Sequence, residues 1–323
     1  VFLLRADMDA LPMREESGLP FASQRSCAHT CGHDMHTAML LGAAQLLRDR
    51  AAELNGTVKF MFQPGEEVLS GARSMIEAGI LENPHVDAAY AIHVLPDDNI
   101  VGKIGIRKGP MTTSVDLYDV TVNGVGGHGS EPQKTTDPIL AACQMVVALQ
   151  QIVARRVDPL ETAVMSIGSI NAGVAPNVIP SQCKFGGVSR AYTEEVREII
   201  RQQMFAIAKG MEGVSGCQFD VYHYYGYPAA YNDGELVDCA REAIEQELGK
   251  DAVIELERPM GFSEDFAYFR QMAGVPSAYF MLYAGHVGDE TYSLHNPKCC
   301  VREEAMPYGI RTLVSIALHY LES

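Results

Sequence analysis

Cysteine, positive charge and long apolar runs are all scarce in this 323-residue chain. Eight cysteines, none in a Cys-x-x-Cys pair, are too few to staple a chain of this length. Reduced thiols in a reducing compartment, hence a cytoplasmic location, are the expectation. Lys and Arg number 25 against 41 Asp and Glu, a net charge of −16. That balance repels a phosphate backbone, so nucleic acid is not an expected partner. No stretch approaches the ~20 apolar residues that would span a bilayer, and no membrane partner is expected. Internal repeats and low-complexity segments are missing as well. What is present is ordinary globular composition, 47% hydrophobic and 20% charged. Disordered and collagen-like chains are thereby excluded. At roughly 100–200 residues per domain, the length points to two domains. Val1-Phe2-Leu3-Leu4 reads as a strand already under way, so a preceding N-terminal piece is expected.

The first hundred residues alternate strands and helices. Val1–Ala6, Thr57–Phe62 and Ala88–Val94 read as strands. His36–Arg50, with Asp34 as its N-cap, and Gly71–Ala78 read as helices. This order implies a mainly parallel sheet flanked by helices. The middle differs. Ser114–Val122, Ala163–Ile170, Gln182–Ser189 and Cys217–Tyr224 read as strands, with helices at Asp137–Arg155 and at Glu194–Lys209 behind a Thr193 cap. That is the split βαββαβ pattern of a small ferredoxin-like domain. Beyond it, Leu236–Leu248, Phe266–Ala273 and Pro307–Tyr320 read as helices and Ser277–Tyr283 as a strand. The fold class is therefore α/β: one domain built from 1–109 and 226–323, interrupted by a smaller inserted domain at 110–225.

Several residue groups carry chemistry. In Cys31-Gly32-His33 a thiolate and an imidazole two residues apart on a turn can both reach a metal. Gln63-Pro64-Gly65-Glu66-Glu67 sets two carboxylates directly after a strand, where α/β proteins place their sites. Adjacent carboxylates repel and call for a cation or a proton, so one can ligate a metal while the other takes a proton from water. His93 ends an apolar strand, and His295 sits on a loop. Together Cys31, His33, Glu67, His93 and His295 offer mixed N, O and S ligands that suit Zn²⁺, Mn²⁺, Co²⁺ or Ni²⁺. Five ligands and a water exceed one tetrahedral site and fit two metals sharing a bridge. Gly124-Val125-Gly126-Gly127-His128-Gly129 matches a dinucleotide fingerprint in letters only. Pro132 follows where a helix should start, so the stretch reads as a loop that presents His128 to a developing oxyanion.

Asp7-Met8-Asp9-Ala10-Leu11-Pro12, Cys31-Gly32-His33-Asp34, Gln63-Pro64-Gly65-Glu66-Glu67, Gly127-His128-Gly129, Asn177-Val178-Ile179-Pro180 and Ser263-Glu264-Asp265-Phe266 follow one another along the chain. In that order they resemble the M20 metallopeptidase superfamily, in its branch of hippurate, auxin-conjugate and N-acetyl-diaminopimelate amidohydrolases. The resemblance implies a zinc-peptidase-like catalytic domain with an inserted lid or dimerisation domain. It implies a dimetal enzyme that hydrolyses the amide of small N-acyl-amino acids and dimerises through the inserted domain. By the same resemblance Cys31 bridges two divalent metals, and His33, Glu67, His93 and His295 complete the ligands. Glu66 would be the general base, and His128 would polarise the scissile carbonyl, often from the partner subunit. Asn177 and Arg190 would hold substrate, and Asp9 would orient a ligand imidazole. Gly187-Val188-Ser189-Arg190 departs from the usual Gly-Thr-Val-Arg. Two rival readings are a metal- or ligand-binding homologue without turnover and a dipeptidase or carboxypeptidase of the same superfamily. The bridging Cys31 disfavours the second, whose members carry Asp there.

Overall fold

The computed structural model describes every residue except 70, 289 and 323. The chain divides into two compact units. The first comprises Val1–Met111, Ala230–Met260 and Glu264–Ser323; the second comprises Thr112–Ala229 and Gly261–Ser263.

The first unit is built on a six-stranded sheet in the order Val253–Glu255, Ile104–Ile106, Ser277–Tyr283, Ala88–Leu95, Phe2–Asp7, Val58–Gln63. Neighbours run parallel except Ile104–Ile106 against Ser277–Tyr283. Phe2–Asp7 is buried along its whole length, as a parallel strand covered on both faces must be. Phe2, Leu4, Tyr90 and Phe280 of the sheet share one core with Met39, Ile244 and Ile316 of helices His33–Asp49, Gly234–Leu248 and Met306–Glu322. Register sets Asp7 opposite Gln63, so the loops that carry Asp9 and Glu66 leave adjacent strands at their carboxyl ends.

Two expectations are corrected here. Asp34 is not an N-cap. The first helix starts three residues early, at His33, because Gly32 turns the chain at φ 80 and supplies no side-chain cap. Asp34 lies inside the first turn, where its carboxylate accepts the Met35 N–H at 2.9 Å. The Phe266–Ala273 helix is instead a 3₁₀ turn at Asp265–Ala267 followed by a short α-helix at Tyr268–Gln271. Ile104–Ile106 and Val253–Glu255 were not foreseen as strands, since three residues carry no readable period.

The second unit runs strand Asp116–Asn123, helix Pro138–Arg155, strands Ala163–Ala172 and Gln182–Ala191, helix Glu194–Ser215, strand Gln218–Tyr225. The four strands form an antiparallel sheet in the order Gln218–Tyr225, Asp116–Asn123, Gln182–Ala191, Ala163–Ala172. One face is packed. Tyr118, Val120 and Phe185 share a core with Met145 and Leu149 of one helix and Ile200 and Met204 of the other. Both helix starts are capped: Asp137 accepts the Ile139 N–H at 2.8 Å, and Thr193 accepts the Val196 N–H at 3.3 Å. Pro138–Arg155 qualifies the reading that no stretch could span a bilayer, because by length and composition this helix is apolar enough. Its Ala141, Ala142, Met145, Leu149 and Ile152 lie in the protein core instead. After Gly129 no helix starts, and only a 3₁₀ turn at Pro132–Lys134 follows. Gly126 is glycine because a Cβ there would sit 2.7 Å from the Ile179 carbonyl oxygen.

Candidate metal centre

Cys31, His33, Glu66, Glu67, His93 and His295 all belong to the first unit. Gly32 makes the approach of Cys31 and His33 to the sheet possible, since a Cβ on it would lie 2.4 Å from Val94 Cγ2. His295 is held in left-handed backbone at φ 66, with its N–H donated to the Thr30 carbonyl at 3.0 Å. For a β-carbon-bearing residue that conformation costs on the order of 1–3 kcal/mol and calls for a reason.

Two triads share one sulfur. The ligand atoms of Cys31, His33 and His93 lie within 4.8 Å of one another, and so do those of Cys31, Glu67 and His295. His93 Nε2 is 3.5 Å and His295 Nε2 3.2 Å from Cys31 Sγ. Glu66 stands alongside in a third such group with His33 and Glu67. Surrounding groups fix the imidazoles. The His93 Nδ1–H donates to the Val94 carbonyl at 2.7 Å, which leaves Nε2 facing the sulfur. His33 Nδ1 is 3.2 Å from Asp9 Oδ1, and Asp9 Oδ2 accepts the Glu67 backbone N–H at 2.9 Å. Asp9 thus orients one imidazole and anchors the loop of a carboxylate at once.

These residues fit a divalent metal pair. Glu67 Oε1 is buried without a hydrogen bond, although His295 Nε2 approaches it to 3.2 Å. A buried carboxylate oxygen in that state is short of a cation. The donor set of one thiolate, three imidazoles and a carboxylate is what Zn²⁺ and its neighbours bind.

Burial and neighbouring charges set the protonation of these ligands. Burial raises the Cys31 thiol well above its usual range, and the charges of Glu67, Asp7 and Glu66 add to it. Burial works against a charged His33, but Asp7 and Asp9 outweigh it and lift the imidazole to about 9. Burial, with His36 beside it, drives His93 well below its usual value. The adjacent Glu67 carboxylate, 3.2 Å away, raises His295. At pH 7 both Cys31 and His33 therefore carry a proton that a metal must displace. Loading is expected to release about two protons from this pair, and affinity to weaken as pH falls below about 9. Calorimetric titrations in buffers of different ionisation enthalpy check this. Affinity that stays constant between about pH 6.5 and 8.5 would contradict it.

Beneath the site lies a buried charge network that sequence reading missed. Arg5 reaches Asp7 at 2.7 Å, Glu264 and Asp265 at 2.8 Å each, and Gln63 Oε1 at 2.8 Å. Tyr279 donates its hydroxyl to Glu264, while Gln63 Nε2 and the Ala72 N–H donate to Asp265. The Val94 N–H donates to His36 Nε2 at 2.9 Å, so the other His36 nitrogen carries the proton given to Asp7. His36 is thereby a structural partner of Asp7. Burial, reinforced by Glu264 and Asp265, raises the Glu66 carboxyl well above the usual carboxylate range. Burial likewise raises Asp265, to about 7, against the pull of Arg5. Replacing Arg5 with Met would leave three carboxylates buried without their cation. A loss of about 3–5 kcal/mol is expected, read as a lower urea midpoint. An unchanged midpoint would contradict the role of Arg5.

The remaining expected residues belong to the second unit. His128 and Asn177 lie on adjoining strands of backbone, since His128 pairs with Val178 and the Gly129 N–H donates to the Asn177 carbonyl. Both side chains are exposed. The Ser130 N–H donates to His128 Nδ1 at 3.2 Å, so the ring proton sits on Nε2. Arg190 is half-buried, and its Nη1 donates to Ser263 Oγ at 2.9 Å.

Residues 3–319 match the model of peptidase family M20/M25/M40. The N-acetylcysteine deacetylase of Bacillus subtilis is 39% identical over 324 residues, spanning 100% of this chain and 82% of that protein. The hippurate hydrolase of Campylobacter jejuni is 37% identical over 320 residues, spanning 99% of this chain and 81% of that protein. Among solved structures, a dinuclear metal-binding M20 peptidase of Bacillus subtilis superposes with a TM-score of 0.83 at 35% identity. The match covers 99% of this chain and 81% of that one.

Proposed function

Because the chain belongs to peptidase family M20/M25/M40, we propose that it hydrolyses the amide bond of N-acyl-amino acids with two divalent metals. The observation that carries this is the pair of ligand triads sharing Cys31, with Glu66 beside them. Cys31, His33 and His93 would hold one ion, and Cys31, Glu67 and His295 the other. When bound, the ions supply Lewis-acid polarisation and lower the pKa of water.

The chain's own groups do the rest. Glu66 accepts a proton from the attacking water and returns it to the leaving amine. Its burial favours the protonated form, the form that hands the proton to the amine. N-acyl-amino acid plus water then gives a carboxylate and a free amino acid. His128, with its proton on Nε2, donates to the developing oxyanion. Asn177 and Arg190 hold the substrate. Mn²⁺, Zn²⁺, Co²⁺ and Ni²⁺ are all compatible with the ligands.

The inserted unit serves as lid and homodimer contact in this reading. Strand Ala163–Ala172 ends its sheet with Val164 and Ile170 exposed, and helix Pro138–Arg155 leaves Leu140 and Val147 in solvent. An unpaired edge beside an apolar helix face suits two-fold pairing. All eight cysteines are free, which accords with a reducing, cytoplasmic setting.

The test is amine release from N-acetyl-, N-benzoyl- and indole-acyl-amino acids, with dipeptides as a further arm. It is run with Mn²⁺ or Zn²⁺ and again after chelation. Metal-dependent release from the acyl substrates is expected. Release from dipeptides alone would move the chain to the peptidase reading. No release with metal bound would favour a scaffold without turnover.

A further inference from the structure

We propose that Arg190 is a positioning residue, which acts through Ser263 and Glu264 on the loop that carries Glu66. This rests on the reading of Glu66 as the base. The chain leaves the first unit after Met260, gives three residues to the second, and returns at Glu264. Those three residues are pinned. Arg190 Nη1 donates to Ser263 Oγ at 2.9 Å and reaches the Gly261 carbonyl at 3.4 Å. The Thr113 N–H donates to the Phe262 carbonyl at 2.9 Å, and Thr113 Oγ1 lies 3.2 Å from Ser263 Oγ.

One peptide bond further, Glu264 is buried and takes hydrogen bonds from Arg5, Tyr279 and the Phe266 N–H. A carboxylate oxygen from each of Glu264, Asp265 and Glu66 falls within 4.8 Å of the others. Asp265 also accepts from Gln63 Nε2 at 2.8 and 2.7 Å and from the Ala72 N–H at 2.7 Å. Gln63 and Ala72 bracket the Glu66 loop. The platform under the base is therefore tied by a single covalent step to a segment that Arg190 and Thr113 hold. Arg190 Nη1 is engaged within its own unit, by Ser263 Oγ and the Gly261 carbonyl.

Ser263→Ala tests this, because it removes the hydroxyl and leaves Arg190 in place. With an N-acyl-amino acid as substrate, kcat is expected to fall about tenfold while KM stays within about twofold, the mark of a displaced catalytic group. Ser263→Thr, which keeps a hydroxyl, is expected to restore most of the rate. Amide hydrogen exchange is followed alongside and is expected to quicken over residues 63–72 in Ser263→Ala. Unchanged exchange over 63–72, or an effect confined to KM, would overturn the proposal. If the unaltered chain hydrolyses no N-acyl-amino acid, the functional reading fails, and the exchange arm still decides the positioning claim.

Discussion

Replacing Glu66 with Gln is expected to lower kcat about 10³-fold with KM changed only a few-fold. Gln keeps the shape of the side chain and cannot take a proton from water. Both metals should stay bound, because Glu66 is in neither of the triads that share Cys31. The fold should not suffer either. Glu66 is buried near Glu264 and Asp265, so the substitution removes like-charge repulsion from a crowded site. Kinetics and metal analysis on one preparation separate the base from the ligands. A variant with near-normal kcat would remove Glu66 from the chemistry, and a variant that lost metal would make it a ligand.

Replacing Cys31 with Ala is expected to weaken both metal sites together, each by more than about 100-fold, the upper end of what loss of an outer partner alone costs. The reason is geometric: Cys31 is the one member common to the two triads. His93→Ala and His295→Ala each touch a single triad and should each spare the other ion. Activity should vanish in the Cys31 variant while the fold persists, since the thiol of the metal-free protein is buried and protonated rather than ion-paired. Equilibrium dialysis with metal analysis gives the count directly. One tightly held ion per chain after Cys31→Ala would show that the sulfur is not shared.

Much of the candidate ligand set was legible because most of its members lie in local patterns. Cys31 and His33 are two residues apart, Glu66 and Glu67 are adjacent after a strand, and His93 is near the end of one. The strands themselves were readable as short apolar runs bounded by turns. What escaped was the network under the site. Arg5 and Glu264 are 259 residues apart in sequence, and no local period links them. The available signal was Arg5 itself, a charge inside a buried strand that has to be paired. Asp34 was misread as a cap because its residue type favours that position, while Gly32 had already turned the chain. The break of the 266–273 helix into a 3₁₀ turn follows from Glu264 and Asp265 being bound into that network, which local propensity cannot register.

Metal reconstitution decides whether the chain works as a two-metal amide hydrolase. The chain is stripped by chelation, returned to Mn²⁺ or Zn²⁺ in steps, and assayed for amine release from an N-acyl-amino acid. No release is expected from the stripped chain, followed by a rise that levels off at two equivalents per chain. Release that survives chelation, or none from any acyl substrate with two equivalents bound, would contradict it.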